Sequence, residues 1–235
     1  MNQYELLGQM IDDAVLMVFD VQDAARTVFA DMDWITDLGA SGGSTFSYSS
    51  PDGRYASFRP HYLGVYTEKS GEWTWSWDSA NINADALELA TALTEFGRRE
   101  GIDVLSGNAN SKNPSFPMRL AMVAAAYSGV FHARAGSASK GTAWFLLSDP
   151  RGFQLPAPTP VSVANALANA ARGKYITSTA RALTAYAARR EGLEWVDEGT
   201  TGTFTTPTGR VVVTFDALGR AGTLDLPDGL GDGKG

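Results

Sequence analysis

Residues 72–77 read Glu72-Trp73-Thr74-Trp75-Ser76-Trp77, so half of the chain's six tryptophans stand at every second position. Side chains of a β-strand alternate between its two faces, and this spacing predicts a strand with three indoles on one face. If exposed, the row would be a platform for sugar rings, bases or a partner's apolar side chains. We favour burial, because three adjacent exposed indoles promote aggregation and a helix follows that can cover them.

That helix is predicted for residues 84–100. Asn83 stands at its N-cap position, and Gly101 ends it directly after Arg98-Arg99-Glu100. Between these signals an apolar stripe recurs at helical spacing, formed by Ala86, Leu87, Ala90, Leu93 and Phe96.

The chain as a whole predicts an α+β fold, in which an antiparallel sheet has helices packed on one face. A helix is expected over residues 3–19 with a second piece near 22–31, and the pattern leaves open whether the two are separated near Asp20. Later segments predict a helix ending near Tyr127 and a hairpin around Gly136–Gly141. Short β-like runs bounded by turn residues lie at 34–35, 45–48, 55–58, 62–66 and 73–77.

Spaced prolines in Leu155-Pro156-Ala157-Pro158-Thr159-Pro160 favour an extended segment and end both helix and sheet. We place the internal boundary there. The last residues are rich in Gly and Asp and have little to pack. The expected organisation is an α+β domain at 1–154, a linker at 155–160, an extension of helices and a β-hairpin at 161–226, and a disordered tail at 227–235.

A weak internal repeat crosses this boundary. The stretch from Trp34 to Arg54 contains Trp-Ile, Thr-Phe and a Pro-Asp-Gly-Arg turn, and residues 195–210 contain Trp-Val, Thr-Phe and Pro-Thr-Gly-Arg in the same order. Both copies follow an amphipathic helix. The types matched are common in hairpins, so a duplicated unit and a coincidence of two similar turns both stay open.

The amino-acid composition limits the kinds of site and the cellular compartment that can be expected. The chain has no cysteine, which excludes disulfides, thiolate zinc sites and a cysteine nucleophile and agrees with a reducing compartment. The first residues lack the pattern of a signal peptide, and no apolar stretch reaches the length of a membrane span. We therefore expect a cytoplasmic protein that does not enter the membrane.

Charge is distributed unevenly along the chain. Residues 1–100 hold 16 acids against 6 bases, whereas residues 101–235 hold 10 acids against 13 bases. An acidic N-terminal half suits a basic protein partner, because complementary charge speeds encounter. Residues 161–190 contain five bases and no acid, which suggests either a phosphate-binding face or docking against the acidic half. We favour docking against the acidic half, since five dispersed positive charges are too few to bind nucleic acid strongly.

A family resemblance emerges from the ordered motifs. The set resembles a bacterial family of unknown function that is marked by a W-x-W-x-W strand after a leucine-glycine strand and before a helix. The resemblance covers about residues 5–150 and implies an α+β fold without any activity. Two departures are Asp78, where small or amide residues are usual, and the extension after Pro160. The motifs are Trp34-x-x-Asp37, Thr45-Phe46, Tyr62-Leu63-Gly64-x-Tyr66, Glu72–Trp77 and the helix end Leu93–Gly101.

Polar residues bunch where the Trp strand ends and the next helix begins, at a helix terminus that favours anions. Turns and caps use the same residue types. If a pocket opens there, we expect Asp78 as its charged member, with Arg59 or His61 on a neighbouring strand opposite it. The candidate ligand-binding residues are Asp78, Asn81, Asn83, Trp77, Arg59 and His61.

Other chemical signals are weak. The two histidines, His61 and His132, show no HxH or HExxH spacing, so we expect no metal and no cofactor. No G-x-S-x-G turn is present to position a nucleophilic serine. Ser137 and Lys140 satisfy S-x-x-K, but they fall in a hairpin turn rather than at a helix start. We expect no catalytic residue to be recognisable.

The sequence thus favours a non-catalytic protein-interaction module, in its sharpest form an immunity-like or chaperone-like protein, acting through the acidic half. The alternative is a small-ligand or carbohydrate-binding protein, or a hydrolase, with its pocket at the end of the Trp strand. Oligomeric state is left open.

Overall fold

The computed structural model describes residues 2–39, 41–77 and 79–225. The chain divides into two compact units: unit 1 is Met1–Leu7 with Ala25–Gln154, and unit 2 is Gly8–Ala24 with Leu155–Gly235. The tail predicted at 227–235 lies outside the described residues.

The N-terminal segment is one unbroken helix, α1, Gln3–Val28. The side chain of Asn2 caps it by accepting a hydrogen bond from the Glu5 backbone N–H. The helix passes through Asp20, which is 2 % exposed. Its carboxylate pairs with Arg190 at 2.6 Å. The two helical pieces suggested by the sequence are thus parts of one continuous helix.

Unit 1 is built on a curled antiparallel sheet, which confirms the predicted α+β class. The strands follow the order β1-β2-β3-β4-β5, and β7 also pairs with β3 while β6 pairs with β7. The expected hairpin around Gly136–Gly141 is thus β6–β7. The strands are β1 Asp33–Asp37, β2 Thr45–Ser49, β3 Tyr55–Thr67, β4 Glu72–Trp75, β5 Ala109–Asn110, β6 Ala133–Ala138 and β7 Gly141–Arg151.

The strands predicted at 55–58 and 62–66 are one strand, β3, which changes partner along its length. Its first residues pair with β2 up to Phe58, and its last residues pair with β4 from Gly64 onward. β7 runs along its other side. Pro60 is accommodated between these stretches, where only one side of β3 is paired, because proline cannot donate a ladder hydrogen bond.

One face of the sheet encloses an aromatic core. Phe29, just after α1, stacks on Tyr48 of β2 with ring centroids 4.1 Å apart, and lies edge-on to Phe58 of β3. Phe46 and Phe145 add to the same buried cluster. Aromatic side chains bury more area than other residues, so this cluster supplies much of the unit's hydrophobic stabilisation.

The Trp row is part of the interior, as predicted, for two of its three members. Trp73 and Trp75 are 0 % and 3 % exposed. The strand is shorter than expected and ends at Trp75, so Trp77 lies beyond β4 and is half-buried. The following helix has the predicted bounds, with Gly101 in the left-handed conformation at its end. The helices of this part are α2 Ala84–Glu100, α3 Asp103–Ser106 and α4 Phe116–Ser128.

Besides the central part of α1, the described residues of unit 2 form two helices and a four-stranded antiparallel sheet in the order β11-β10-β9-β8. The sequence predicts the two helices and the central strands, and the outer strands β8 and β11 are additional. Phe204 of β9 lies fully buried between Tyr186 and Trp195. The elements are α5 Pro160–Arg172, α6 Thr179–Arg189, β8 Glu194–Asp197, β9 Thr201–Thr206, β10 Gly209–Phe215 and β11 Ala221–Asp225.

The central part of α1 belongs to unit 2 and is joined to it by buried carboxylates. Asp12 accepts hydrogen bonds from the backbone N–H and the hydroxyl of Thr177 and from the backbone N–H of Ser178, at 2.6–2.9 Å. Burial nevertheless outweighs these bonds and raises the pKa of Asp12.

None of the helices in the described part of the chain combines the length and apolar character of a membrane span.

Candidate functional site

The first turn of α2 is the centre of a polar cluster on unit 1. The backbone N–H of Asn83, at the N-cap position, donates to the carbonyl of Leu38 at 2.8 Å. Asp85 accepts from both the backbone N–H and the hydroxyl of Ser44 at 2.9 Å. Burial opposes ionisation of Asp85, but the Ser44 bonds and the Ala86 N–H outweigh it and lower its pKa.

Arg59 connects strand β3 to this turn. Its Nη2 lies 2.5 Å from Glu88 Oε2 and 3.3 Å from the carbonyl oxygen of Asp85. Arg59 therefore reaches the backbone two residues after Asn83. The ion pair is partly exposed, at 36 % for Arg59 and 63 % for Glu88, so it positions the guanidinium more than it stabilises the fold.

His61 lies two residues farther along β3, and its ring is bound by β7. Its Nε2 is 2.9 Å from Ser148 Oγ, and that hydroxyl donates to Asp149 Oδ2 at 3.1 Å. Burial, assisted by the positive charge of Arg59, lowers the pKa of His61 below its usual value. The ring is accordingly neutral at pH 7, and its buried Nδ1 has no hydrogen-bond partner among the described residues.

The order of these hydrogen bonds decides what the cluster can do. In a nucleophilic triad the serine donates to the histidine, and the carboxylate binds the other ring nitrogen. Here the carboxylate of Asp149 accepts from Ser148 itself. The geometry therefore favours a neutral polar cluster that can hydrogen-bond a ligand over one that activates a serine.

The structure brings together some of the predicted site residues. Arg59 lies at the first turn of α2, close to Asn83, and His61 lies beside Ser148 instead. Asn81 is exposed in a turn with a φ of 65°. Trp77 is half-buried and stacks on Trp75 with ring centroids 5.6 Å apart. Asp78, the expected charged member, lies outside the described residues.

The sequence does not single out Ser148 or Asp149, because the strand that carries them reaches His61 only through long-range pairing. No three His, Cys, Asp or Glu side chains in the described ranges come together as metal ligands would.

A second surface of unit 1 is the outer side of β1, which the sequence also leaves unmarked. Ile35 is 68 % exposed, and Asp33 and Asp37 flank it on the same side of the strand. Tyr55, on β3, is 61 % exposed. β1 is the end strand of its sheet in the described part of the chain, where it pairs only with β2.

Near this strand, Arg54 neutralises two other acids. It contacts Asp31 at 2.5 Å and Asp52 at 3.0 Å. Neither Asp33 nor Asp37 forms an ion pair with a described residue. The row Asp33–Ile35–Asp37 thus presents unneutralised negative charge around an exposed apolar side chain.

The bases at 161–190 are used inside unit 2, in line with the expected docking against acids. Arg190 is 6 % exposed and pairs with Asp20. Arg181 makes two hydrogen bonds to Asp13, at 2.6 and 2.7 Å. Two of the five charges are therefore already balanced by acids of α1.

Comparison with known proteins agrees with the resemblance read from the motifs. A search of curated proteins gave no match, and neither did a search of solved structures. The model of one protein family matches residues 8–150, which include β1 to β6, most of β7 and the Trp row. That match covers more than half of the chain, so the protein belongs to the family of unknown function DUF6882.

Proposed function

We propose that the protein is a non-catalytic interaction module and that unit 1 binds a basic protein partner through the outer side of β1. The observation that supports this most directly is the exposure of Ile35 between two carboxylates that have no ion-pair partner among the described residues. An apolar centre surrounded by a polar rim is the usual arrangement of a protein interface.

The charges give the surface its selectivity. A partner with Lys or Arg opposite Asp33 and Asp37 gains Coulomb attraction and a faster encounter, whereas an acidic partner is repelled. Covering Ile35 adds about 1.5–3 kcal/mol of hydrophobic stabilisation if the side chain becomes fully buried. The complex is expected to weaken as salt is added, because exposed charges are screened.

We propose that the protein acts in the bacterial cytoplasm. There it would bind its basic partner as an immunity-like or chaperone-like protein. The cysteine-free sequence agrees with a reducing compartment. Fractionation of the native host, with antibodies against the protein, tests the compartment.

The experiment for the function is site-specific photo-cross-linking from position 35. A photoreactive amino acid replaces Ile35, and the protein is illuminated in host lysate. We expect one cross-linked protein with a basic contact surface, and its loss when Asp33 and Asp37 are both changed to Lys.

The matched control is Glu95→Lys, a charge reversal at an exposed position of α2. This variant should keep the cross-link. A cross-link that survives reversal of both aspartates, or the absence of any specific product, would contradict the proposal.

A second function is supported by His61, which lies two residues after Arg59 on β3 and whose buried Nδ1 has no partner among the described residues. We propose that a small polar ligand, such as a sugar or carboxylic acid, binds there through Arg59, His61 and Ser148. We also propose that the half-buried indole of Trp77 contributes to this site, and ligand binding should then quench or shift tryptophan emission.

A thermal-shift and fluorescence screen with sugars and carboxylic acids tests this second function. The expected outcome is a hit that Ser148→Ala and Arg59→Met both weaken, while Glu95→Lys leaves it unchanged. A hit insensitive to both substitutions would place the ligand elsewhere.

A further inference from the structure

Strand β8 of unit 2 reproduces the features of β1 in unit 1. In each strand a tryptophan points inward against a phenylalanine of the next strand. The ring centroids are 5.1 Å apart for Trp34 and Phe46, and 4.5 Å apart for Trp195 and Phe204. Each indole also lies directly on a glycine, which is Gly136 of the distant strand β6 for Trp34 and Gly202 of the adjacent strand β9 for Trp195.

The turns after the two strands match as well. Asp37 Oδ1 accepts from the backbone N–H of Gly39 at 3.0 Å, and Asp197 Oδ1 accepts from the backbone N–H of Gly199 at 2.8 Å. These bonds are the same aspartate turn in both places. The turn aspartate comes three residues after Trp34 but two residues after Trp195, so the two segments share these features with a difference of one residue in spacing.

Because the tryptophans point inward, the residue after each of them points outward. Ile35 is 68 % exposed and Val196 is 55 % exposed. Acids stand two residues before and two residues after each one: Asp33 and Asp37 around Ile35, and Glu194 and Glu198 around Val196. All four carboxylate residues are exposed.

β8 is, like β1, the end strand of its sheet in the described part of the chain. Glu198, directly after this strand, accepts a hydrogen bond from the Thr201 hydroxyl at 3.2 Å, and neither Glu194 nor Glu198 forms an ion pair with a described residue. The row Glu194–Val196–Glu198 therefore carries its negative charge although residues 101–235 hold more bases than acids.

We infer that both rows bind the same kind of ligand, an extended protein segment with the pattern basic-x-apolar-x-basic. Alternate residues of an extended chain are about 6.6 Å apart, which is also the spacing of Asp33, Ile35 and Asp37 along β1. Glu194 and Val196 have the same spacing along β8, and Glu198 directly follows that strand. The segment's apolar residue covers Ile35 or Val196, and its bases pair with the flanking carboxylates. The β1 part of this inference rests on the proposed function, and the β8 part does not.

A second copy of the chain is a poorer occupant than a basic segment. If two β1 strands paired antiparallel about Ile35, Asp33 of one would stand opposite Asp37 of the other. Like charges directly opposite each other destabilise a strand pair. The same repulsion would arise between Glu194 and Glu198 of two β8 strands.

The test uses the full chain, labelled at isoleucine and valine methyl groups, and the peptide KTITK, in which threonines separate the central isoleucine from the terminal lysines. We expect the methyl signals of Ile35 and Val196 both to shift on titration. Ile35→Lys should weaken binding at β1 alone by about tenfold or more, and Val196→Lys should do the same at β8 alone. Val161→Lys, a change at another exposed apolar residue, should alter neither site.

Each failure has a distinct signature. A shift at Ile35 without one at Val196 overturns the inference for β8 and leaves the proposed function standing. A shift at Val196 alone supports β8 and contradicts the proposed function at β1. The peptide KKITT has the same composition as KTITK but lacks the basic-x-apolar-x-basic pattern. If it bound as tightly as KTITK, the inferred recognition of that pattern would be overturned. A dimer in sedimentation that Ile35→Lys or Val196→Lys dissociates would assign that row to a second copy and overturn the inference.

Discussion

Trp34 of β1 lies against Gly136 of β6, at opposite ends of the strand series β1-β2-β3-β7-β6. A Cβ built on Gly136 would stand 2.3 Å from Cη2 of the indole. The guanidinium of Arg134, also on β6, lies over the Trp34 ring at 5.5 Å. The sheet is therefore curled far enough for side chains of its two edges to touch, and this contact closes one side of the aromatic core.

Gly136→Ala tests that contact. The added methyl group cannot fit without moving an indole that is already stacked on Phe46, so we expect a loss of about 1–3 kcal/mol in the free energy of unfolding. Gly42→Ala is the matched control, because a Cβ there would meet no atom within 4 Å. Chemical denaturation measures both. Equal stability of the two variants would mean that the edges do not meet through this pair.

The buried part of the Trp row should be essential to the fold. Trp75 is 3 % exposed, and its Nε1 donates to the carbonyl of Val104 at 3.0 Å. We expect Trp75→Ala to cost about 3–5 kcal/mol, or to prevent folding. Trp77→Ala should cost clearly less, since Trp77 is half-buried beyond the strand end. Circular dichroism and urea unfolding distinguish the two, and a comparable loss for both would contradict the different burial.

Two ion pairs that join α1 to α6 or to its C-cap residue should contribute very differently to the free energy of unfolding. Asp20 and Arg190 are 2 % and 6 % exposed, whereas the side chains of Asp13 and Arg181 are 22 % and 41 % exposed. Asp20→Asn leaves a buried guanidinium without its counter-charge and should cost about 3–5 kcal/mol. Asp13→Asn should cost at most about 1 kcal/mol. Thermal unfolding of the two variants side by side is the measurement, and similar shifts would refute the ranking.

His132 should make the protein less stable in acid. Burial, with a smaller contribution from Arg134, lowers its pKa to about 4 from the usual 6.5. The folded state thus binds fewer protons than the unfolded state below pH 6.5, and its stability falls as the pH drops. Between pH 8 and pH 5 this residue alone should remove about 2 kcal/mol.

His132→Leu separates this effect from the other titrating groups. The ring packs edge-on to Phe58 at 5.0 Å, and its Nδ1 has no partner among the described residues, so an apolar replacement is tolerated. The variant should lose less stability than the wild type between pH 8 and pH 5. If the stability of the wild type and of the variant changed equally with pH, His132 would not be held neutral by the fold.

The elements with strong local patterns were predictable. The helix over 84–100 has the expected bounds, because Asn83 and Gly101 mark its ends and the apolar stripe has a period of 3.6. The burial of Trp73 and Trp75 was predicted from their alternation and from the amphipathic helix that follows them in the sequence. Membership of a family of unknown function followed from the order of the motifs.

The candidate site was predictable only in part. Arg59 and Asn83 meet at the first turn of α2, but the partners of His61 lie on β7, nearly ninety residues later in the chain. The continuity of β3 through Pro60 was not predictable either, because it depends on which strand stands beside each stretch of β3.

By itself the sequence determined which faces of its helices and strands are apolar, since that information lies in the spacing of neighbouring residues. Only the tertiary structure decided which faces meet: Trp34 with Gly136, His61 with Ser148, and Asp20 with Arg190. Long-range pairing sets these contacts, and many pairings satisfy the same local pattern. The rows around Ile35 and Val196 show the same division, because their acids are visible in the sequence but form an exposed surface only after folding.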